Sequence, residues 1–304
     1  MVVPWTDPRC IVCLEERELT VEHIIPALVG GRLRSSFLCK PCNSTLGTTI
    51  DSRVKSDPHV RRAALQLKET LPELVETIED GAAYVGKSGY GEFQGSVKAG
   101  AFRPHPLRPG DGSLMLATPE ARDAIVQMLR KQGRDLEIPA ALEKFDGAPA
   151  NERIELAPGI EIIEWHTEGI RPALETGLGA PDTWALKTAY EFLACCIGSA
   201  IYSDALEPYR RMLRGGNWED TAAAVERLQA GAVTPIHGLV LEDNAPHTRV
   251  QVRLFRQICF RVHFKRIALS GPRWIYQQHL AEPNELFAIL EPSDSAGGTM
   301  TAPN

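Results

Sequence analysis

Hydrophobic residues recur at helical spacing in several segments of the chain. The clearest pattern follows Asp182, a preferred N-terminal cap. Its hydrophobic positions are three and four residues apart, as on the buried face of a helix: Leu186, Tyr190, Leu193, Ile197 and Ile201. Similar patterns predict a helix beginning near Asp57, another after Thr118, and shorter helices over 204–213 and 219–229.

Other segments alternate between hydrophobic and polar residues, as strands do. Residues 81–102 combine six glycines with isolated hydrophobic positions, which predicts short strands and turns. A further strand is predicted at 160–165. Over 250–269, a hydrophobic face that includes Phe260 and Val262 alternates with a basic face of Arg261, His263 and Lys265, which predicts two strands. The predicted fold class is therefore α+β, with a polar, disordered tail at 293–304.

Composition is that of a globular protein, with 43% hydrophobic and 24% charged residues. The net charge is −6, yet Arg32–Lys68 carries eight basic and two acidic residues, and 244–281 carries seven basic and no acidic residues. These stretches indicate local anionic partners rather than a general affinity for nucleic acid. The first residues do not resemble a secretory signal, and the most hydrophobic segment, 192–202, is about half the length needed to span a bilayer. We therefore expect a cytoplasmic protein with no membrane partner.

Four of the seven cysteines form two close pairs. Cys10 and Cys13 make one CxxC motif, Cys39 and Cys42 make another, and 25 residues lie between them. Each pair can supply one edge of a tetrahedral metal site, so the two together predict a closed structural zinc site. Buried core cysteines are the alternative interpretation, and a thioredoxin-type redox site is disfavoured because neither pair follows a strand of a βαβ unit.

The segment between the two pairs contains a second group of motifs. Glu22-His23-Ile24-Ile25-Pro26 is followed by Gly30-Gly31, and Asn43 comes directly after the last cysteine. The combination CxxC, EHIIP, GG and CxxCN resembles the zinc-stapled HNH endonucleases, whose fold is the ββα-metal finger. The resemblance covers about a sixth of the chain, from Cys10 to Asp51.

The resemblance implies a fold and a set of roles. Zinc would hold a β-hairpin against a helix, and a separate catalytic Mg²⁺ or Mn²⁺ would lie between them. His23 would be the general base, with Glu22 and Asn43 as ligands of the catalytic cation. A neutral histidine has a suitable pKa for this chemistry, and Glu22 offers the hard oxygen that Mg²⁺ prefers. Nucleic acid is the expected substrate, and the family resemblance implies DNA.

Two positions depart from the family pattern. The middle asparagine, which braces the loop of the base, is missing from Arg34-Ser35-Ser36-Phe37-Leu38, so Ser35, Ser36 or the backbone must substitute for it. Gly47 stands where a third ligand on the helix is expected. Three basic residues beside the expected site are candidate phosphate contacts: Arg32, Arg34 and Lys40.

The predicted organisation has four parts: an HNH domain at 1–56, a connecting helix at 57–80, an α+β domain at 81–292 and the tail. Restriction, phage defence or a mobile element would be the context, and the second domain would respond to a partner protein or an activating ligand. The alternative is a non-catalytic zinc module that binds nucleic acid or protein. Gly81–Ser88 also matches GxxxxGK[ST], but its acidic and glycine-rich flanks disfavour a phosphate-binding loop with Lys87.

Overall fold

The computed structural model describes the chain in fourteen stretches. They are residues 1–55, 57–88, 91–98, 101–104, 121–147, 153–158, 160–163, 169–172, 183–215, 224–228, 231–244, 247–265, 267 and 273–290. The predicted tail at 293–304 lies outside them, as does Asp182. Within the described residues, no helix has both the length and the hydrophobicity needed to cross a membrane.

The N-terminal elements are three short strands followed by helices. In chain order they are β1 (Val2–Val3), β2 (Leu19–His23), β3 (Arg34–Cys39), α1 (Lys40–Leu46), a π-helical turn (Gly47–Asp51), α2 (Ser52–Val54), α3 (Pro58–Gln66) and α4 (Pro72–Glu79). Strand β3 lies between β1, which is parallel to it, and β2, which is antiparallel. The helix predicted near Asp57 is confirmed: the Asp57 carboxylate accepts hydrogen bonds from the amides of His59 and Val60.

The middle elements are mostly short strands. They are β4 (Ala83–Ser88), β5 (Gly91–Lys98), β6 (Ala101–Pro104), α5 (Ala121–Lys131), α6 (Ile138–Asp146), β7 (Arg153–Ala157), β8 (Ile160–Ile163) and β9 (Gly169–Pro172). A four-stranded sheet has the order β6-β5-β4-β9, and β7 pairs with β8. Lys87 lies in β4, where it pairs with Glu92 of β5, so the GxxxxGK[ST] match is a paired strand and not a phosphate-binding loop.

The C-terminal elements are two helices and one large sheet. They are α7 (Thr183–Ile197), α8 (Glu207–Leu213), β10 (Val225–Leu228), β11 (Ile236–Asn244), β12 (His247–Leu254), β13 (Ile258–Lys265), β14 (Arg273–His279) and β15 (Glu285–Leu290). The sheet is antiparallel with the order β10-β13-β12-β11-β14-β15. The helix predicted over 219–229 is wrong where the structure describes it, because Val225–Leu228 pairs with the edge of β13.

The chain forms two compact units. One unit combines Met1–Ile78 with Thr176–Asn304, and the other is Glu79–Glu175. In the first unit, the N-terminal elements pack against α7 and the large sheet in one hydrophobic core. The α+β class itself is confirmed, with a mostly β region toward the C-terminus.

Helix α7 is the centre of the first unit. Residues Thr183 to Ala194 are all buried, so the helix is enclosed on every side rather than on one face. The ring of Trp184 packs edge-on against Phe260 of the sheet at 5.0 Å, and Tyr190 packs against Phe264 at 6.5 Å. Two charged residues, Lys187 and Glu191, are also fully buried in this helix. Their contacts reach the N-terminal elements.

Candidate functional site

The four paired cysteines converge on one point. Their sulfur atoms all lie within 4.8 Å of one another, and Sγ of Cys13 is 3.7 Å from Sγ of Cys39. In a tetrahedral zinc site with Zn–S bonds of about 2.3 Å, neighbouring sulfurs are about 3.8 Å apart. The cluster therefore fits a structural zinc ion.

Local backbone geometry brings the two pairs together. After Cys10 the chain turns sharply: the amide of Leu14 donates to the Cys10 carbonyl at 2.9 Å, and Leu14 adopts a left-handed conformation with φ of 66°. The second pair lies where β3 meets α1, with Cys39 as the N-terminal cap residue of that helix. The Ile11 amide donates to the Phe37 carbonyl at 3.1 Å, which joins the first turn to the end of β3.

The close approach and burial of the cluster cysteines shift the pKa values of their thiols. A hydrogen bond with Cys42 lowers the pKa of Cys10 to about 4, while the same contact and burial raise the pKa of Cys42. Burial also raises the pKa of Cys13. Four close thiolates repel one another, and a divalent cation at their centre removes that repulsion.

Glu22 and His23 lie at the end of β2, the strand that pairs with β3. The pairing register shifts between Thr20 and Glu22: Val21 alone lies opposite Ser36 and Phe37, so the extra residue of this irregularity belongs to β3. After His23 the chain leaves the strand, and Gly30-Gly31 lets it return. Gly30 has a φ of 85°, and a Cβ on Gly31 would lie 1.9 Å from the Ile25 carbonyl oxygen, so only glycine fits there.

Asn43 braces the strand that carries Glu22 and His23. Its Nδ2 donates to Thr20 Oγ1 at 3.0 Å and to the Val21 carbonyl at 3.1 Å. Thr20 Oγ1 donates in turn to the Leu38 carbonyl of β3 at 3.0 Å. Asn43 thus ties Thr20 and Val21, where the pairing register shifts, to the helix after the second cysteine pair.

Ser35 does not take over the missing asparagine's brace. Its hydroxyl donates to the Val3 carbonyl of β1 at 3.0 Å, and its side chain is fully buried. The structure therefore assigns the bracing hydrogen bonds to Asn43.

Lys187 of α7 joins three carboxylates. Its Nζ is 2.5 Å from Glu22 Oε1, 3.0 Å from Asp51 Oδ2 and 3.2 Å from Glu191 Oε2. Burial acts to lower the pKa of Lys187, but Glu191, Asp51 and Glu22 together raise it above its ordinary value. Burial raises the pKa of both Asp51 and Glu191. Asp51 Oδ1 is buried and has no hydrogen-bond partner.

Comparison with known proteins identifies the N-terminal segment. Residues 10–58 match the family model described as HNH endonuclease. This is an HNH segment. None of the curated proteins and none of the solved structures compared with the chain matches it. Because HNH proteins are generally nucleases, the segment indicates a nuclease with a nucleic-acid substrate.

Asp51 shares Lys187 with Glu22, and the sequence reasoning did not single it out as a candidate. It lies at the end of the π-helical turn, and its charge acts on His23 as well as on Lys187. The available signal was an acidic residue eight positions after Asn43, about two helical turns further along the chain.

The environment of His23 favours the neutral imidazole. Burial, with the positive charges of Arg34 and Lys187, lowers the pKa of His23 below its ordinary value, and Asp51 opposes this shift. A neutral imidazole has a nitrogen lone pair that can accept a proton, as a general base must.

The three basic residues predicted beside the HNH site have different surroundings. Arg32 forms an ion pair with Glu285 at 2.8 Å and donates to the carbonyls of His279, Glu282 and Asn284. Its guanidinium thus holds the β14–β15 turn. Arg34 is exposed and is the β3 partner of His23. Lys40 is exposed at the start of α1. Arg34 and Lys40 stay candidates for phosphate contact.

Proposed function

We propose that the protein is a metal-dependent endonuclease that hydrolyses phosphodiester bonds in DNA through its HNH segment. One observation carries the proposal: Glu22 and Asp51 share a buried lysine next to His23, within a segment that matches the HNH endonuclease model. A base and hard oxygen ligands in one place are the requirements of metal-assisted phosphodiester hydrolysis.

The residues present fit a catalytic divalent cation. Asp51 Oδ1 is buried without a hydrogen-bond partner, and such an oxygen needs a cation or a water molecule. Lys187 donates to Oε1 of Glu22, and Oε2 is the oxygen of that carboxylate that would bind the catalytic metal ion. Asn43 can add its Oδ1, because its Nδ2 is used in the brace. Mg²⁺ and Mn²⁺ suit this oxygen set.

The chain's own groups supply the remaining chemistry. His23 takes a proton from the attacking water as its oxygen bonds to phosphorus, and the bond from phosphorus to the leaving oxygen breaks. The leaving oxygen takes a proton from solvent. A bound Mg²⁺ or Mn²⁺ would stabilise the charge that develops on the phosphate and the leaving oxygen. Arg34 and Lys40 would hold neighbouring phosphates.

The biological setting belongs to the same proposal. Restriction, phage defence or a mobile element suits a nuclease of this family joined to a further folded unit. Within that setting, the predicted α+β domain at 81–292 would respond to a partner protein or an activating ligand. This assignment rests on the family resemblance.

The decisive experiment is plasmid cleavage by the purified full chain in Mg²⁺ or Mn²⁺, with EDTA as the metal-free control. His23→Ala should abolish cleavage while zinc content and thermal stability stay at the wild-type level. His247→Ala, which removes an exposed histidine of β12, is the matched control and should cleave normally. Cleavage by His23→Ala at the wild-type rate would overturn the proposed mechanism.

A non-catalytic zinc module is the second candidate, and the four-cysteine cluster supports it as well. A zinc-loaded, folded wild type that binds DNA but does not cleave plasmid, single-stranded DNA or RNA would favour this candidate. In that case, replacing the cysteines should abolish binding and His23→Ala should not.

A further inference from the structure

We infer that Lys187 is a positioning residue of the HNH site, supplied by helix α7 from outside the segment that matches the family model. The inference rests on the proposed function. Lys187 donates to Glu22 across 165 residues of sequence, and it also reaches Asp51. Both carboxylates belong to the HNH segment, and neither Lys187 nor its helix does.

The geometry suits the three donors of one ammonium group. Nζ of Lys187 lies within 3.2 Å of one oxygen from each of three carboxylates, so every ammonium hydrogen has an acceptor. The side chain is fully buried, which fixes its position by packing. Lys187 thus holds Glu22 Oε1 and Asp51 Oδ2 at a common point and leaves Asp51 Oδ1 without a partner.

Helix α7 is itself fixed to the HNH segment close to this lysine. The hydroxyl of Tyr190, three residues after Lys187, donates to the carbonyl of Ile11 at 2.9 Å. Ile11 lies inside the first CxxC turn. The zinc site and the carboxylates are therefore both attached to neighbouring positions of one helix, which limits their movement relative to each other.

The charge arrangement requires a cation at this position. Glu22 and Asp51 come from different elements and meet in a buried place, where two carboxylates repel each other strongly. A hydrophobic side chain at 187 would fill the same space without the cost of burying a charge. The lysine therefore serves the carboxylates rather than the packing of the core.

The experiment measures Mn²⁺ affinity of the full chain by electron paramagnetic resonance, together with plasmid cleavage. Lys187→Met keeps the length of the side chain and removes the ammonium. We expect Mn²⁺ to bind about 10–100-fold more weakly, because groups that orient metal ligands contribute by that factor. Cleavage should fall in parallel, while KM for DNA stays near the wild-type value because DNA-contacting residues are unchanged.

The direction in which Lys187→Met changes the Mn²⁺ affinity distinguishes a positioning role of the ammonium from simple competition with the metal. Loss of a positive charge alone would tighten Mn²⁺ binding, so tighter binding would mean that the ammonium merely competes with the metal and would overturn the inference. Unchanged affinity would also overturn it. Lys187→Arg restores a cation and should recover part of the lost affinity. Arg210→Met, which removes a buried cation of α8 paired with Glu207, should change stability but not Mn²⁺ affinity.

A second variant covers the case in which Lys187→Met does not fold. Lys187→Met/Glu191→Gln also removes the buried carboxylate that loses its partner, and the same weakening of Mn²⁺ binding is expected. Failure of the proposed function is distinguishable: the wild type itself would then neither cleave nor bind Mn²⁺.

Thermal unfolding tests the contact between Lys187 and Asp51 in the absence of Mn²⁺ and of DNA. The Tm losses caused by Lys187→Met and Asp51→Asn should not add in the double variant, because both variants break one contact. Additive losses would overturn the inference whatever the nuclease assay gives.

Discussion

The amide nitrogen of Asn43 lies 3.1 Å from the carbonyl oxygen of Val21, immediately before Glu22 and His23. Val21 is the residue of β2 at which the pairing with β3 changes register. The hydrogen bond from the helix therefore fixes the backbone of β2 at the point where the catalytic candidates begin.

Asn43→Asp tests this brace. Aspartate keeps a ligand oxygen but cannot donate a hydrogen bond when ionised, and it would face the Val21 carbonyl with a negative charge. We expect the free energy of unfolding to fall by about 1–3 kcal/mol, the cost of leaving such a group unpaired. Chemical denaturation of the zinc-loaded protein measures this.

Thr20→Val provides the companion variant, since it removes one of the two acceptors of Asn43 and should show a smaller loss. If Asn43→Asp were as stable as the wild type, the brace would not contribute, and Asn43 would be left only as a candidate metal ligand.

His237 connects the large sheet to the HNH segment and predicts a pH-dependent stability. Its Nε2 lies 2.8 Å from the Val29 carbonyl and its Nδ1 accepts from the Phe255 amide at 3.0 Å, so the neutral imidazole satisfies both partners. Burial lowers the pKa of His237 from 6.5 to about 4. The unfolded chain therefore binds a proton more readily than the folded chain between these two values.

Because the unfolded chain binds this proton more readily, the folded chain loses stability as the pH falls. The contribution of His237 to stability is fully present above pH 6.5 and is lost as the pH falls toward 4, by about 3 kcal/mol in all. Urea unfolding at pH 7 and at pH 4.5 should show the loss in the wild type. His237→Gln removes the titrating group and should flatten the pH profile relative to the wild type. Equal slopes for the two proteins would contradict the prediction.

Arg34→Ala tests the proposed contact with nucleic acid, and Arg32→Ala is its control. Arg34→Ala should weaken DNA binding and reduce the slope of log affinity against log salt by about 1, as the loss of one phosphate contact does. Arg32→Ala should leave that slope unchanged and destabilise the fold instead, because Arg32 holds three carbonyls and Glu285. Binding measured at several salt concentrations decides between them. A change of slope in Arg32→Ala alone would contradict the assignment.

Zinc should be necessary for the N-terminal fold. We expect one zinc ion per chain by elemental analysis, and less than stoichiometric zinc in Cys42→Ser. Removal of zinc should lower the free energy of unfolding by several kcal/mol, since zinc binding supplies about 10–16 kcal/mol to zinc-finger peptides. Thermal melts with and without a chelator measure the change, and a Tm that does not move would rule out a structural zinc.

The sequence predicts well those features of this protein that depend on residues close together in the chain. The cysteine pairs, the Glu22-His23 dipeptide and the Asp57 cap are recognisable because each depends on residues a few positions apart. The convergence of the cysteines is confirmed for the same reason: the two turns are each specified by short spacings.

The sequence does not show which residues far apart in the chain form ion pairs or pair as strands. Nothing near Lys187 marks it as the partner of Glu22, since a lysine in a hydrophobic helix gives no indication of which carboxylate it meets. Arg32 lies in a basic stretch and was predicted to contact phosphate, yet Glu285 lies at the far end of the chain. Val225–Leu228 was predicted as helix because its strand partner in β13 could not be known beforehand.

The division of the first unit between Met1–Ile78 and Thr176–Asn304 has a consequence for synthesis. At about 5–20 residues per second, a ribosome needs on the order of ten seconds to proceed from Asp51 to Lys187. During that interval the nascent chain carries Glu22 and Asp51 without the ammonium that joins them. We therefore expect the proposed HNH site to be incomplete until helix α7 has emerged, so that the proposed activity would begin only after that point in synthesis.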